Sequence, residues 1–358
     1  MPVGKDLASY STSQITTKNS TSSYIQNVST TVSVSSYSSV SSVTTVVNSA
    51  NYTLVKAILP GEPEGVLYDP LNNQILVSEP LQNKLVIINA SSFSIVENVN
   101  LDISPKEMLL DPSNGLIYAA SFGGVNGSGI VVINGSSDGV VANIRGVASS
   151  TGMTFDHENN DIYIANPFTG ALDILHTTNN SIVQSISLHA APFGVVFDSS
   201  NNKVYVGVPH FGLVDVIDAS TNKVTGNITI ESVENDSSGI GGLTLNPINN
   251  EIYVTEGQIP QIAVINASTN KLLTTVSDSS FASSLLNVIY DSAYGNVFAV
   301  GTNASGSGGL VSEINHTNNS IEFNINVGVY PSEISCNPAA KEFYIVDSAS
   351  PSLLILRT

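Results

Sequence analysis

Apolar and polar positions along most of this chain alternate in short runs divided by polar turns, and the same arrangement returns at a nearly fixed interval. One stretch, VYVGVPHFGLVDVIDASTNKVTGNITI from Val204 to Ile230, shows its parts. Val204 to Val208 is a β-branched and aromatic run, PHFG breaks it with proline and glycine, and from Leu213 to Ile217 the residues Leu213, Asp215 and Ile217 alternate with Val214 and Val216. DASTN is a tight polar turn, because Asp, Ser and Asn bond back to neighbouring backbone and tolerate left-handed geometry. Lys223 to Ile230 reads as a further strand, and upstream PFGVVFD, Pro192 to Asp198, reads as another, closed by SSNNK. Four such strands make one antiparallel sheet that cannot bury both faces alone.

Seven copies of this unit follow one another. The first strands are EGVLYDP, KEMLLDP, TGMTFDH, FGVVFDS, GGLTLNP, LNVIYDS and SEISCNP, beginning at Glu64, Lys106, Thr151, Phe193, Gly241, Leu286 and Ser332. The second strands keep step as QILVSEP, LIYAASF, DIYIANP, KVYVGVP, EIYVTEG, NVFAVGT and EFYIVDS, and the third as LVIINAS, IVVINGS, LDILHTT, VDVIDAS, IAVINAS, VSEINHT and LLILRT. A period of roughly 40 to 50 residues with four strands per repeat is the signature of propeller blades. The seventh unit stops after its third strand, at Thr358, while NYTLVKAILPG, Asn51 to Gly61, precedes the first unit and is similar to fourth strands such as KVTGNITI. Pairing the two closes the ring and removes an exposed edge. The predicted fold is all-β: a seven-bladed β-propeller of four-stranded antiparallel blades over residues 51–358, closed by an N-terminal strand in blade seven and preceded by a Ser/Thr/Val-rich tail over residues 1–50.

The pattern of P-x-G, a strand ending in D-P or N-P, an N-N or N-G turn, then Y-V-T and V-I-(D/N)-A-S-T-N-K, as from Glu251 to Lys271, resembles the YVTN-type β-propeller repeat of archaeal and bacterial surface-layer-related proteins. The resemblance spans about Asn51 to Thr358. It implies the propeller fold and a surface or binding role, without fixing an activity.

Composition sharpens the class of partner. The formal net charge is −18, and the tail holds only Lys5, Lys18 and Asp6 of the charged residues, so the excess of carboxylates belongs to the repeats. That disfavours nucleic acid and anionic bilayers as partners. A surface low in charge but rich in carboxylates suits an acidic extracellular habitat, where Asp and Glu are largely neutral. Cys336 is the only cysteine, so no intrachain disulfide forms, and its place on a first strand reads as a structural thiol. MPVGKDLASYSTSQ lacks the apolar core of a secretory signal, and no segment has the apolar length of a membrane span.

Two readings of the tail stand. STTVSVSSYSSVSSVTTVVNSA is uncharged and free of proline, which suits a flexible stalk. Val32 and Val34 alternate with serines, which suits a strand that adds to a sheet edge and orders in an assembly with another subunit or an anchoring protein, whereas Val40, Val43 and Val47 have helical spacing.

Loops before each first strand and between second and third strands share one face of the ring. They gather Glu64, Glu79, Glu107, Asn166, Phe168, Phe193, His210, Phe211, Glu256, Tyr330, Glu333 and Asp347, and aromatics with carboxylates at a channel mouth are the usual material of a propeller binding surface. On the opposite face, Asn-x-Ser/Thr acceptors fall in or beside the turns between third and fourth strands at Asn89, Asn134, Asn179, Asn266, Asn315 and Asn318, with further acceptors at Asn126, Asn227 and Asn303. Catalytic signals are thin. His157, His176, His189, His210 and His316 lack paired zinc spacing, and GTNASGSGG from Gly301 opens no helix that would bind phosphate. The sequence therefore predicts a non-enzymatic extracellular, cell-surface or virion-surface propeller that binds a protein or glycan and needs no cofactor or metal. The alternative is a metal-dependent lactonase-type hydrolase, which would need Glu64, Glu79, Asn166, Glu256 and Asp347 to converge over the channel.

Overall fold

The computed structural model describes residues 28–31, 43–49, 52–123, 128–230, 239–257, 260–277, 281–303 and 305–357. Seven antiparallel sheets stand round one axis, with the first strands of successive sheets adjacent to one another at the centre. Blade one runs Gly65–Asp69, Gln74–Glu79, Lys84–Asn89 and Ile95–Asn100 from the axis outward. Blades two to six repeat that order over residues 105–144, 153–187, 195–229, 240–277 and 281–327.

Blade seven joins the two parts of the chain. Its inner strands are Pro331–Asn337, Glu342–Asp347 and Ser352–Arg357, and the fourth is Tyr52–Ile58, in register from Thr53 opposite Arg357 to Ile58 opposite Ser352. The Tyr52 hydroxyl donates to Glu313 Oε2 of blade six at 3.1 Å, and its ring lies 4.6 Å from that of Phe323, so the closing strand is tied to two blades. The ring is thus closed by the predicted strand. Two stretches of the tail continue the same sheet: Val43–Ser49 pairs with Tyr52–Ile58, and Val28–Thr31 pairs with Val43–Ser49, giving blade seven six strands. Of the two tail readings, strand addition is the one seen in these stretches, and the edge they occupy is that of the chain's own blade seven.

Each boundary between neighbouring blades holds one apolar cluster, the seven together making a continuous annular core. This explains why second and third strands are apolar at nearly every position. Ile75, Leu76 and Val77 are all fully buried because one face of their strand packs on blade seven and the other on blade two. At the axis the inner strands crowd together: a Cβ added to Gly152 would lie 2.9 Å from the Cα of Gly194 on the next blade.

One face of the ring is held by a repeated turn chemistry. At the end of every inner strand, or just after it in blade six, a buried Asp or Asn accepts a backbone N–H two or three residues on. Leu71 N donates to Asp69 at 2.8 Å, Ser113 N to Asp111, Glu158 N to Asp156, Ser200 N to Asp198 and Ile248 N to Asn246 at 2.9 Å, and Ala293 N to Asp291 and Ala340 N to Asn337 at 3.1 Å. In four blades the motif tyrosine then fastens the blade to the next. The hydroxyls of Tyr118, Tyr163, Tyr205 and Tyr253 meet the amides of Asn180, Asn222, Asn270 and Asn319 at 3.0, 2.9, 2.8 and 2.6 Å. Those asparagines have left-handed backbones, φ 52 to 54°, in the turn between third and fourth strands. Burial raises the pKa of all four tyrosines, so each hydroxyl stays protonated to donate or accept.

Candidate functional site

The other face is irregular, and the channel opens there into a cavity of about 520 Å³ to which every blade contributes. Its walls are the first residues of the inner strands. Met108, Met153, Val195, Leu243, Val288 and Ile334 form an apolar lining, while Glu64, Glu107, Glu333 and Lys106 gather on the side of blades one, two and seven. Phe193 and Tyr330 complete the mouth.

Charge in this cluster is unevenly compensated. Lys106 Nζ lies 3.6 Å from Glu64 Oε2 and 4.6 Å from the centre of the Phe122 ring, so its ammonium is already shared between a carboxylate and an aromatic face. Glu333 Oε2 accepts the backbone N–H of Val66 at 3.2 Å. No hydrogen bond from a described residue reaches the Glu107 carboxylate. Both glutamates line the cavity at intermediate exposure, with protein around their other sides. Burial lifts the pKa of Glu107 above the ordinary carboxylate range, with Lys106 opposing and Glu64 adding to the rise. Burial lifts Glu333 further, and the charge of Glu107 adds to it, while Lys106 and the Val66 N–H oppose. The two carboxylates resist being ionised together unless a cation joins them.

Of the twelve residues expected at the mouth, Glu64, Glu107, Phe193, Tyr330 and Glu333 line this cavity. Phe168, His210 and Phe211 are exposed on loops of the same face but lie outside the cavity lining, and the His210 and Phe211 rings meet edge to face at 4.8 Å. Glu79, Asn166, Glu256 and Asp347 turn inward and are buried, a correction to their expected place at the channel mouth. Each ends a second strand, and its side chain braces the neighbouring loop. Glu79 accepts from Gly61 N at 2.9 Å and pairs with Lys84 at 2.8 Å, Asn166 donates to Asp173 at 2.7 Å, and Glu256 accepts from Gln261 at 2.9 Å. Asp347 accepts from the backbone N–H groups of Val329 and Tyr330 at 3.0 and 2.9 Å. Lys106 is the charged lining residue that sequence reasoning passed over, although it is the one basic residue among the seven that open the inner-strand motifs.

Six of the acceptor asparagines, Asn89, Asn134, Asn179, Asn266, Asn315 and Asn318, sit on the turn face. Asn89 accepts from Ser91 N and Ser92 N, Asn134 from Ser136 N and Ser137 N, Asn266 from Thr269 N and Asn315 from Thr317 N, the position that Asp218 fills in blade four by accepting from Thr221 N. Asn179 and Asn318 are exposed in the same turns, Asn227 is exposed on an outer strand, Asn303 ends a second strand, and Asn126 lies outside the described residues. Cys336 is partly buried near the carbonyl of Tyr290, at 3.9 Å, and burial pushes its thiol up to about 12, a state without nucleophilic thiolate. Among the described residues no three His, Cys, Asp or Glu side chains sit together as metal ligands, and no helix is long and apolar enough to cross a membrane.

No protein-family profile matches the chain, and no curated protein does. Among solved structures, a chain of Kuenenia stuttgartiensis hydrazine synthase is similar, with a TM-score of 0.71 at 15% identity over 84% of this chain and 96% of that one. At that identity the likeness is one of fold, and the fold of this protein is a seven-bladed β-propeller.

Proposed function

We propose that this protein is a non-catalytic binding propeller, displayed at a cell or virion surface, that takes a protein or glycan ligand at its channel mouth. The observation that carries this reading is the cavity of about 520 Å³ with its aromatic, thioether and carboxylate lining, set on the face whose loops differ from blade to blade. The similarity of the repeats to YVTN-type surface propellers supports display outside the cell, and the six glycan acceptors in turns between third and fourth strands lie away from the mouth. The hydrolase alternative draws less support, because Glu79, Asn166, Glu256 and Asp347 are engaged in bracing loops and not directed at the axis.

The test is direct. The full chain is immobilised and presented with a glycan array and with a displayed peptide library, in parallel with lactone substrates and added Ca²⁺ or Mn²⁺. Saturable binding that weakens on substitution of Glu107, Phe193 or Tyr330 is the expected result. Metal-dependent turnover of a lactone would overturn the reading.

A further inference from the structure

We infer that the ligand of the mouth is a protein segment that places a lysine or arginine side chain between Glu107 and Glu333 and lays flanking apolar residues on an arc formed by Leu81, Phe122, Phe168 and Phe211. The inference rests on the reading of the mouth as a binding site and names its partner.

The arc is the first observation. Leu81, Phe122, Phe168 and Phe211 are 75, 44, 64 and 38% exposed, and each stands in the loop between second and third strands of blades one, two, three and four. Four successive blades therefore present a large apolar side chain at the equivalent place, on the face that carries the cavity. None of the four packs into a cluster of the annular core, so the fold does not account for them. Their chemistry separates the two classes of ligand. Leucine and phenylalanine carry no hydrogen-bonding tip, whereas a sugar ring laid against an aromatic needs donors and acceptors beside it for its hydroxyls. An arc of this composition suits the apolar side chains of a protein segment.

Charge complementarity identifies the residue at the centre. The lining brings three carboxylates together with one cation, and that cation is shared with Glu64 and Phe122, which leaves Glu107 and Glu333 without a positive partner of their own. A second ammonium or guanidinium between them relieves the burial and the mutual repulsion that disfavour their ionised forms. The apolar wall of Met108, Met153 and Phe193 accommodates the methylene stem that carries such a head group. An acidic segment is repelled, since the chain carries a formal charge of −18.

A random heptapeptide library displayed on phage is selected against the full chain at pH 7, and a glycan array is probed with the same protein. Recovered peptides are resynthesised and titrated against Glu107→Gln/Glu333→Gln and Phe168→Ser/Phe211→Ser. Melting curves of both variants verify the fold, which exposed phenylalanines and channel-facing glutamines leave intact. The expected outcome is enrichment of Lys or Arg flanked by apolar residues, with affinity falling about tenfold in the glutamine variant and severalfold in the serine variant. Peptides without a basic residue, or peptides indifferent to both variants, overturn the inference. Binding of oligosaccharides alone, weakened by the same substitutions, overturns it and leaves the mouth a binding site. Recovery of no ligand that depends on the mouth overturns both the inference and the reading beneath it.

Discussion

The two faces of the ring are built on opposite terms. On the turn face each blade repeats the same solution, with a buried Asp or Asn capping the first turn and left-handed residues in the turns, and in four blades a tyrosine fastened to the next blade's asparagine. On the mouth face the blades differ more: the residue that opens each inner-strand motif is in turn Glu64, Lys106, Thr151, Phe193, Gly241, Leu286 and Ser332. Repetition marks where the chain must satisfy the same backbone geometry seven times. Variation marks where geometry is already secured and side chains are free to serve a ligand. The comparison yields predictions for each face.

The largest expected effect falls on closure. A chain beginning at Gly61 lacks Tyr52–Ile58 and the burial of Leu54, Val55 and Ala57. At about 25 cal/mol per Å² of apolar surface, that loss is on the order of 5 kcal/mol, and it exposes the edge of Ser352–Arg357. Chemical denaturation and light scattering should find a weaker, associating protein; a chain that melts like the full one and stays monomeric contradicts the closed ring.

Removing a single latch costs less. Tyr253→Phe abolishes the bonds to Asn319 at 2.6 Å and Glu251 at 3.0 Å in a buried setting. Destabilisation of about 1 to 3 kcal/mol is expected in urea. Phe168→Ser on the mouth face should leave the midpoint unchanged, and equal losses in the two variants would erase the distinction between the faces.

Acid should stabilise the protein. The pKa values of Glu107, Asp138, Asp291, Glu313 and Glu333 are all raised, with burial the leading cause. The native state therefore binds protons more tightly at these groups than the unfolded chain does. Their favourable contribution is complete below the ordinary carboxylate pKa and is lost as pH rises through the raised folded values. Melting temperature should climb as pH falls from 7 toward roughly 5, with a shallower slope in Glu107→Gln/Glu333→Gln. A melting temperature that falls steadily over that range contradicts the assignment. The smallest effect is a gain: Lys341 holds a left-handed backbone, φ 57°, where other blades use Asn or Gly. Lys341→Asn should stabilise by under about 1 kcal/mol, read as a small rise in melting temperature. A loss there would show that the Lys341 ammonium over the Tyr294 ring, 4.9 Å from its centre, outweighs the backbone strain.

How far the sequence reveals the molecule divides along the same line. Turn chemistry is local, so DPLNN, DSSNN and NASTN are legible as turns without knowledge of the fold, and their spacing gives blades and closure. The mouth is legible only where a residue opens an inner strand, as Glu107 and Phe193 do. Glu79, Asn166, Glu256 and Asp347 look equally accessible in sequence, but a strand's last side chain points to a loop or to a core according to the twist of its sheet, which composition does not encode. The strand formed by Val43–Ser49 was similarly open, because Val43 and Val47 fit helical spacing and it is the free edge of Tyr52–Ile58 that settles their conformation.

The measurement that bears most directly on the division of labour between the faces is a paired scan. Asp156→Ala, Asp198→Ala and Asn222→Ala on the turn face, and Phe122→Ser, Phe168→Ser and Phe211→Ser on the mouth face, are compared for melting temperature and for binding to a mouth-selected peptide. The turn-face set should lose about 1 to 3 kcal/mol of stability each while the folded fraction binds as before, and the mouth-face set should melt as the parent does and bind more weakly. Mouth-face variants that lose stability as the turn-face variants do, with peptide affinity unchanged, would contradict the account.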